Sequence, residues 1–135
     1  MSSHGTFATV LGCMDGRCQE KTIAYAKKLF GVDHIDTITE PGMDKILAGG
    51  THAAATEEFL PQLREWIQKK TSISAKGHGS TQVLVTGHCS CAGNPVDFDQ
   101  HTKDIKAAIE TVHGWNLFIE IKGAAFDEQW EIKEM

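Results

Sequence analysis

Apolar, β-branched runs alternate along this chain with segments of helical period, and that alternation permits few folds. Residues 7–11 (Phe-Ala-Thr-Val-Leu), 35–39 (Ile-Asp-Thr-Ile-Thr), 82–86 (Gln-Val-Leu-Val-Thr) and 116–121 (Asn-Leu-Phe-Ile-Glu-Ile) read as strands. Between them lie segments with apolar side chains at helical spacing. Residues 18–30 carry Ile23, Ala26 and Leu29 or Phe30, and Gly31 stops that helix. Residues 53–69 carry Phe59, Leu63, Trp66 and Ile67, with Pro61 either kinking the helix or marking its start. Residues 98–112 carry Ile105, Ala108, Ile109 and Val112, and Asp97 or Asp99 is placed to cap them. Glu40-Pro41-Gly42 predicts a turn, and residues 71–80 a Gly/Ser-rich loop. The tail from Gly123 onward has no pattern that places it.

Strands alternating with helices predict an α/β fold: a parallel sheet with helices on both faces and right-handed connections. With 135 residues the chain is expected to form one domain over 1–135. In such sheets ligands bind beyond the carboxyl ends of the strands, where the strand order reverses. A strand order of 2-1-3-4 puts that reversal between the first and third strands.

The residues that follow those two strands carry the chemistry. Cys13 opens Cys13-Met14-Asp15-Gly16-Arg17 after the first strand. His88 and Cys91 lie in Gly87-His88-Cys89-Ser90-Cys91-Ala92-Gly93 after the third. They are far apart in sequence, and the 2-1-3-4 order makes them neighbours. Two thiolates and one imidazole form a three-ligand zinc set with a fourth position open, the pattern of a catalytic rather than a structural zinc. Cys13 lies just before a helix start, whose positive end favours a thiolate. Two thiolates offset the charge of Zn²⁺, so neighbouring charges or dipoles must help acidify a bound water. Asp15 and Arg17 fit that need. A guanidinium grips a carboxylate in a two-toothed fork. Held so, Asp15 stays ionised and can orient the nucleophile; released, it could occupy the open metal position.

Other readings stand beside this one. Cys13, His88 and Cys91 could be core residues, and Asp15 with Arg17 an ordinary ion pair at a helix start. A closed four-cysteine site would leave His88 and the Asp15–Arg17 pair without roles. Cys18 and Cys89 read as inert packing thiols. His34, His52, His78, His101 and His113 have no motif context and read as surface histidines, though any could pass a proton to buffer. Trp66, Trp115 and Trp130 read as core or interface anchors.

Composition removes several classes. A net charge of −5 without a basic stripe argues against nucleic acid. No apolar run approaches the roughly 18 residues of a membrane span, and residues 1–6 lack the apolar core of a signal peptide. A cytoplasmic location is expected by default, where four cysteines read as ligands or core thiols before disulfides. No nucleotide-binding glycine fingerprint is present.

With both motifs in place, the chain resembles the β-class carbonic anhydrases, which carry Cys-x-Asp-x-Arg after one strand and His-x-x-Cys after another. Here these are Cys13-Met14-Asp15-Gly16-Arg17 and His88-Cys89-Ser90-Cys91. The resemblance spans roughly residues 7–121. It implies zinc on Cys13, His88 and Cys91, with Asp15 and Arg17 as the catalytic pair. It implies reversible hydration of CO₂ to bicarbonate by zinc-bound hydroxide, and a homodimer or an assembly of dimers. The chain is expected to depart from the family in three places. It reads as short, without the family's N-terminal helical arm. It has Thr39-Glu40-Pro41-Gly42 where the family has Arg-Asn-Ala-Gly, and its second motif ends Ala92-Gly93 where Gly-Gly or Gly-Ala is more usual. The altered pocket keeps two alternatives open: a zinc hydrolase of another small electrophile, such as carbon disulfide or carbonyl sulfide, or a non-catalytic zinc-binding homologue.

Overall fold

The structure, a computed structural model, describes residues 5–135. Its elements in chain order are β1 (Phe7–Gly12), α1 (Gly16–Phe30), β2 (His34–Thr39), α2 (Met43–Ala48), α3 (Leu60–Ser72), a π-helical turn (Ile73–Gly77), β3 (Gln82–His88), α4 (Phe98–His113), β4 (Glu120–Phe126) and β5 (Ile132–Glu134). The strands form one sheet in the order β2-β1-β3-β4-β5. The first four are parallel, as the alternation requires, and β5 returns antiparallel on β4.

Side-chain alternation along the central strands builds two cores. Ala8 and Val10 of β1, Leu84 of β3 and Ala124 of β4 face α1, which covers them with Ala26 and Phe30. Leu11, Val83, Val85 and Ala125 face the other way, against α2, α3 and α4. Burial on both faces explains why β1 and β3 are nearly continuous apolar runs. Thr9 is the exception on β1. Its hydroxyl is buried, bonded to Ser74 at 2.6 Å and donated to Ser80 at 2.7 Å, which ties the π-helical turn to the sheet.

Helix ends follow local chemistry. Gly31 stops α1 in the left-handed conformation, φ 64°, and its N–H returns to the Lys27 carbonyl. The Asp97 side chain caps α4 by accepting from the Gln100 N–H at 2.9 Å. Pro61 marks the start of α3, so that helix begins at Leu60 rather than at residue 53.

The expected turn is present at Pro41 and Gly42, and it leads into the short helix α2, which Gly49 and Gly50 end at φ 91° and 92°. Two further expectations are corrected. Residues 71–80 are not a simple loop, because α3 runs to Ser72 and the π-helical turn follows. The last parallel strand lies at Glu120–Phe126, not 116–121. Residues 115–119 leave α4 through Asn116 at φ 56°, and Trp115 and Phe118 pack under the core instead. The buried half of β4 opens with Gly123, Ala124 and Ala125, too small to announce a strand, and ends on the fully buried Phe126. Gly123 is small because α4 lies close. A Cβ on Gly123 would fall 2.7 Å from Ile105 Cγ2 and 2.9 Å from Ile109 Cδ1. Gly123→Ala is expected to destabilise the fold by about 1–3 kcal/mol through overpacking, read as a lower urea midpoint with an unchanged slope.

Candidate metal centre

Cys13 leaves the carboxyl end of β1, His88 is the last residue of β3, and Cys91 follows in the next turn. β1 and β3 are paired neighbours at the point where the strand order reverses. Among the described residues the structure therefore brings Cys13, His88 and Cys91 together, their ligating atoms all within 4.8 Å of one another and all three side chains buried. The two sulfurs are 3.8 Å apart. Thiolates about 2.3 Å from a tetrahedral zinc would be separated by about the same distance. His88 Nδ1 lies 2.6 Å from the Cys89 carbonyl, which makes Nδ1 the protonated donor and leaves Nε2 with its lone pair. That Nε2 is buried and has no hydrogen-bond partner. A buried nitrogen facing two sulfurs without a partner is what a metal ligand looks like before the metal is bound. The donor set fits a zinc ion with one position left over.

The sulfurs are prepared for a cation. The hydrogen bond from the Cys91 thiol holds Cys13 down at about 4. His88 and the backbone N–H groups of Gly42 and Asp15 add to that, against the opposing effect of burial. Cys91 is pushed up, first by its bond to Cys13 and then by burial, with the N–H groups of Asn94 and Gly93 working the other way. Without metal, the two sulfurs thus share one proton. Burial lowers the affinity of His88 for a proton, but the neighbouring Cys13 sulfur and the Cys89 carbonyl outweigh this and raise its pKa.

The N–H donors to both sulfurs depend on a close crossing of two loops. A Cβ on Gly42 would fall 2.6 Å from the Gly93 carbonyl carbon, and one on Gly93 would fall 2.5 Å from that of Pro41. Gly42 also has φ 63°. A buried polar network holds the crossing from behind. Asn94 Nδ2 donates to Asp44 Oδ1 at 3.2 Å and to Asp104 Oδ2 at 2.9 Å. His101 Nδ1 lies 2.7 Å from Asp44 Oδ2. His101 is thus a buried residue, not the surface histidine expected from its lack of a motif. His52 is also engaged, with Nε2 2.6 Å from the Pro41 carbonyl. His34 and His113 are exposed.

Asp15 and Arg17 sit at the rim. Asp15 is the N-cap of α1, its Oδ1 accepting the Arg17 N–H at 2.8 Å. The Arg17 side chain grips both oxygens, Nε to Oδ1 at 3.0 Å and Nη2 to Oδ2 at 2.6 Å. That fork, first among the causes, holds the Asp15 carboxyl down at about 2. Asp15 Oδ2 is 3.8 Å from His88 Nε2, beside the donor set but turned toward Arg17. Cys18 and Cys89 stand outside the group. Both are buried, and burial pushes the Cys18 thiol up to about 12 and raises that of Cys89.

Sequence reasoning missed Gly42, Gly93, Asn94 and Trp130. The Trp130 ring stacks on His88 with centroids 5.6 Å apart, and Arg17 Cζ lies 4.5 Å over it. Nothing in the sequence signals this contact, because it depends on the hairpin between β4 and β5.

Comparison with known proteins adds the following. The family described as "Putative carbonic anhydrase" matches residues 3–135. The crystal structure of β-carbonic anhydrase isoform I from Trichomonas vaginalis is 15% identical, with a TM-score of 0.57, over 94% of this chain and 80% of that one. That of carbonic anhydrase from Streptococcus mutans is 15% identical with a TM-score of 0.49 over the same shares. The likeness to the Trichomonas protein is one of fold. No curated protein matches the chain.

Two outcomes are expected from this geometry. Metal uptake near pH 7 should release about one proton from the Cys13–Cys91 pair, plus the fraction carried by His88. Calorimetric titration of zinc in buffers of different ionisation enthalpy measures that number. Zinc affinity should therefore weaken as pH falls. Gly93→Ala should separate the crossing loops and weaken zinc binding by about tenfold or more, as read by competition with a chelator.

Proposed function

The chain belongs to the family described as "Putative carbonic anhydrase", and we propose that it is a β-class enzyme that catalyses the reversible hydration of CO₂ to bicarbonate at a zinc ion held by Cys13, His88 and Cys91. The observation that carries this reading is the buried, unpartnered His88 Nε2 facing two sulfurs 3.8 Å apart. Bound there, zinc supplies a Lewis acid that acidifies water and so provides a nucleophile near neutral pH.

The chain's own residues do the rest. Asp15, ionised throughout the neutral range, accepts a hydrogen bond from the attacking group and points its lone pair at the carbon of CO₂. Arg17 keeps that carboxylate in place and off the metal. The N–H groups of Gly42, Asp15, Gly93 and Asn94 stabilise the two thiolates, drawing some of their charge away from the metal. That compensates in part for a donor set richer in negative charge than three histidines. No helix among the described residues is long and apolar enough to cross a membrane. The four free cysteines suit a reducing compartment, and on that ground we assign the cytoplasm.

We also propose a homodimer. The apolar groove at the end of β2, lined by Pro41, Phe59, Leu63 and Trp66 with a volume of about 600 Å³, is the face we assign to it. Phe59 and Trp66 are about half exposed there, which is unusual for side chains of their size. Sedimentation equilibrium is expected to give a dimer for the wild type and a monomer for Trp66→Glu.

Thr39-Glu40-Pro41 stands where the family has Arg-Asn-Ala, and that departure bears on the substrate. Stopped-flow CO₂ hydration by the zinc-loaded protein should rise from about pH 6.5 to about pH 9 and vanish in Cys13→Ser. Asp15→Asn still caps α1 and should retain zinc, while kcat/KM falls by about a hundredfold or more. Sulfide release from carbon disulfide or carbonyl sulfide, without CO₂ turnover, would move the assignment to the hydrolase alternative. Full zinc with no turnover of any of these would leave a non-catalytic zinc protein.

A further inference from the structure

The hairpin that follows β4 is built around Asp127. Its Oδ1 accepts the N–H groups of Gln129 at 2.9 Å and Glu131 at 3.0 Å, and its backbone bonds to Glu131 and Trp130. From α1, Lys21 Nζ donates to the Trp130 carbonyl at 2.9 Å. In this frame Trp130 has φ 59°. A bulky aromatic residue in the left-handed region is a real outlier. Such conformations persist where the surroundings over-determine them, and they gather at functional sites. The turn delivers one indole ring to two residues of the candidate metal centre. The ring stacks on His88 at an interplanar angle of 28°, and it lies under the Arg17 guanidinium.

We propose that Trp130 is a positioning residue of the metal centre: its indole face holds Arg17 in the orientation that grips Asp15, and so keeps Asp15 away from the open metal position. This rests on the metal-centre reading above. The Arg17 side chain is 56% exposed, and an exposed ion pair does little to immobilise its own members. Besides Asp15, the contacts that fix the guanidinium are the Trp130 ring and the Ser90 carbonyl, the latter at 3.4 Å from Nη2. The ring is the closer-fitting of the two, since a planar guanidinium stacks well on an aromatic face. Asp15 Oδ2, 3.8 Å from His88 Nε2, is a zinc-competent ligand within a short swing of the site. Removing the ring frees Arg17, and a freed Arg17 no longer retains the carboxylate.

The test uses cobalt(II) in place of zinc, with the visible spectrum and bulk-water proton relaxation reporting the exchangeable position. Wild type and Trp130→Phe are expected to keep an exchangeable water. Trp130→Ala is expected to lose it, relaxation falling to the level of a closed site as Asp15 moves in. In an Asp15→Ala background, Trp130→Ala should change neither signal. An unchanged spectrum and relaxation in Trp130→Ala, with cobalt fully bound, overturns the proposal. So does a change that persists in the Asp15→Ala background, because Trp130 would then act through His88 or the fold. If Trp130→Ala does not fold, Trp130→Leu replaces it, keeping apolar bulk without the aromatic face; equal behaviour of Leu and Phe overturns the proposal. A metal-free readout is the ¹⁵N-detected Arg17 Nε–H resonance. It should be ring-shifted and slow to exchange in the wild type, and neither in Trp130→Ala. If the chain takes up no metal, the metal-centre reading fails, and an unaltered Arg17 resonance separately sinks the clamp. CO₂ turnover measured alongside separates the activity from both.

Discussion

The pairing of β1 with β3 is the constraint on which the site depends. β1 pairs with β2 on one side and with β3 on the other, so β2 and β3, consecutive in the chain, are separated and the order reverses between β1 and β3. Their carboxyl ends open side by side, with no strand between them to fill the gap. Cys13, His88 and Cys91 reach one point because the backbone leaves them there, before any side-chain interaction is considered. The flanking elements then refine the arrangement. α1 starts at the site, and its first turn orders Asp15 and Arg17.

A second layer of control comes from behind the thiols. The loops after β2 and β3 touch backbone to backbone at Gly42 and Gly93, and each supplies N–H groups to a sulfur. Asn94, Asp44, His101 and Asp104 fix that contact from the side of α2 and α4. All four are buried. A partly satisfied network at this depth would be costly, and this one is nearly complete. The exception is His101 Nε2, which is buried without a partner. Residues with no part in the donor set thereby decide how its negative charge is spread.

Much of this was legible in the sequence, for identifiable reasons. β1 and β3 are buried on both faces, so they read as apolar runs, and their order fixed where Cys13 and His88 would meet. The caps Gly31 and Asp97 were visible because their chemistry is local. What escaped was decided by packing. β4 is disguised by Gly123, Ala124 and Ala125, and at Gly123 it is the closeness of α4, not strand character, that sets the residue. α2 is only six residues long and carries no repeat. His101 lay within reach of sequence logic, since it is four residues before Ile105 and continues the inward stripe of Ala108 and Val112. Trp130 did not, because its position follows from a hairpin and a backbone conformation that no local pattern encodes.

Asp15 meets two demands with a single short side chain. One oxygen closes the first turn of α1, and the same carboxylate, held by Arg17, borders the donor set. These demands accept different alphabets. Helix capping at this position accepts Ser and Asn as readily as Asp, and Thr less well. Holding a negative charge at the rim requires a carboxylate, which by charge alone would admit Glu. The extra methylene of Glu, however, carries its oxygens past the N–H that the cap must reach. Only Asp belongs to both alphabets. A library randomised at position 15 and sorted first for folding, then for function, should therefore narrow in two steps: from a small set of capping residues to a single letter.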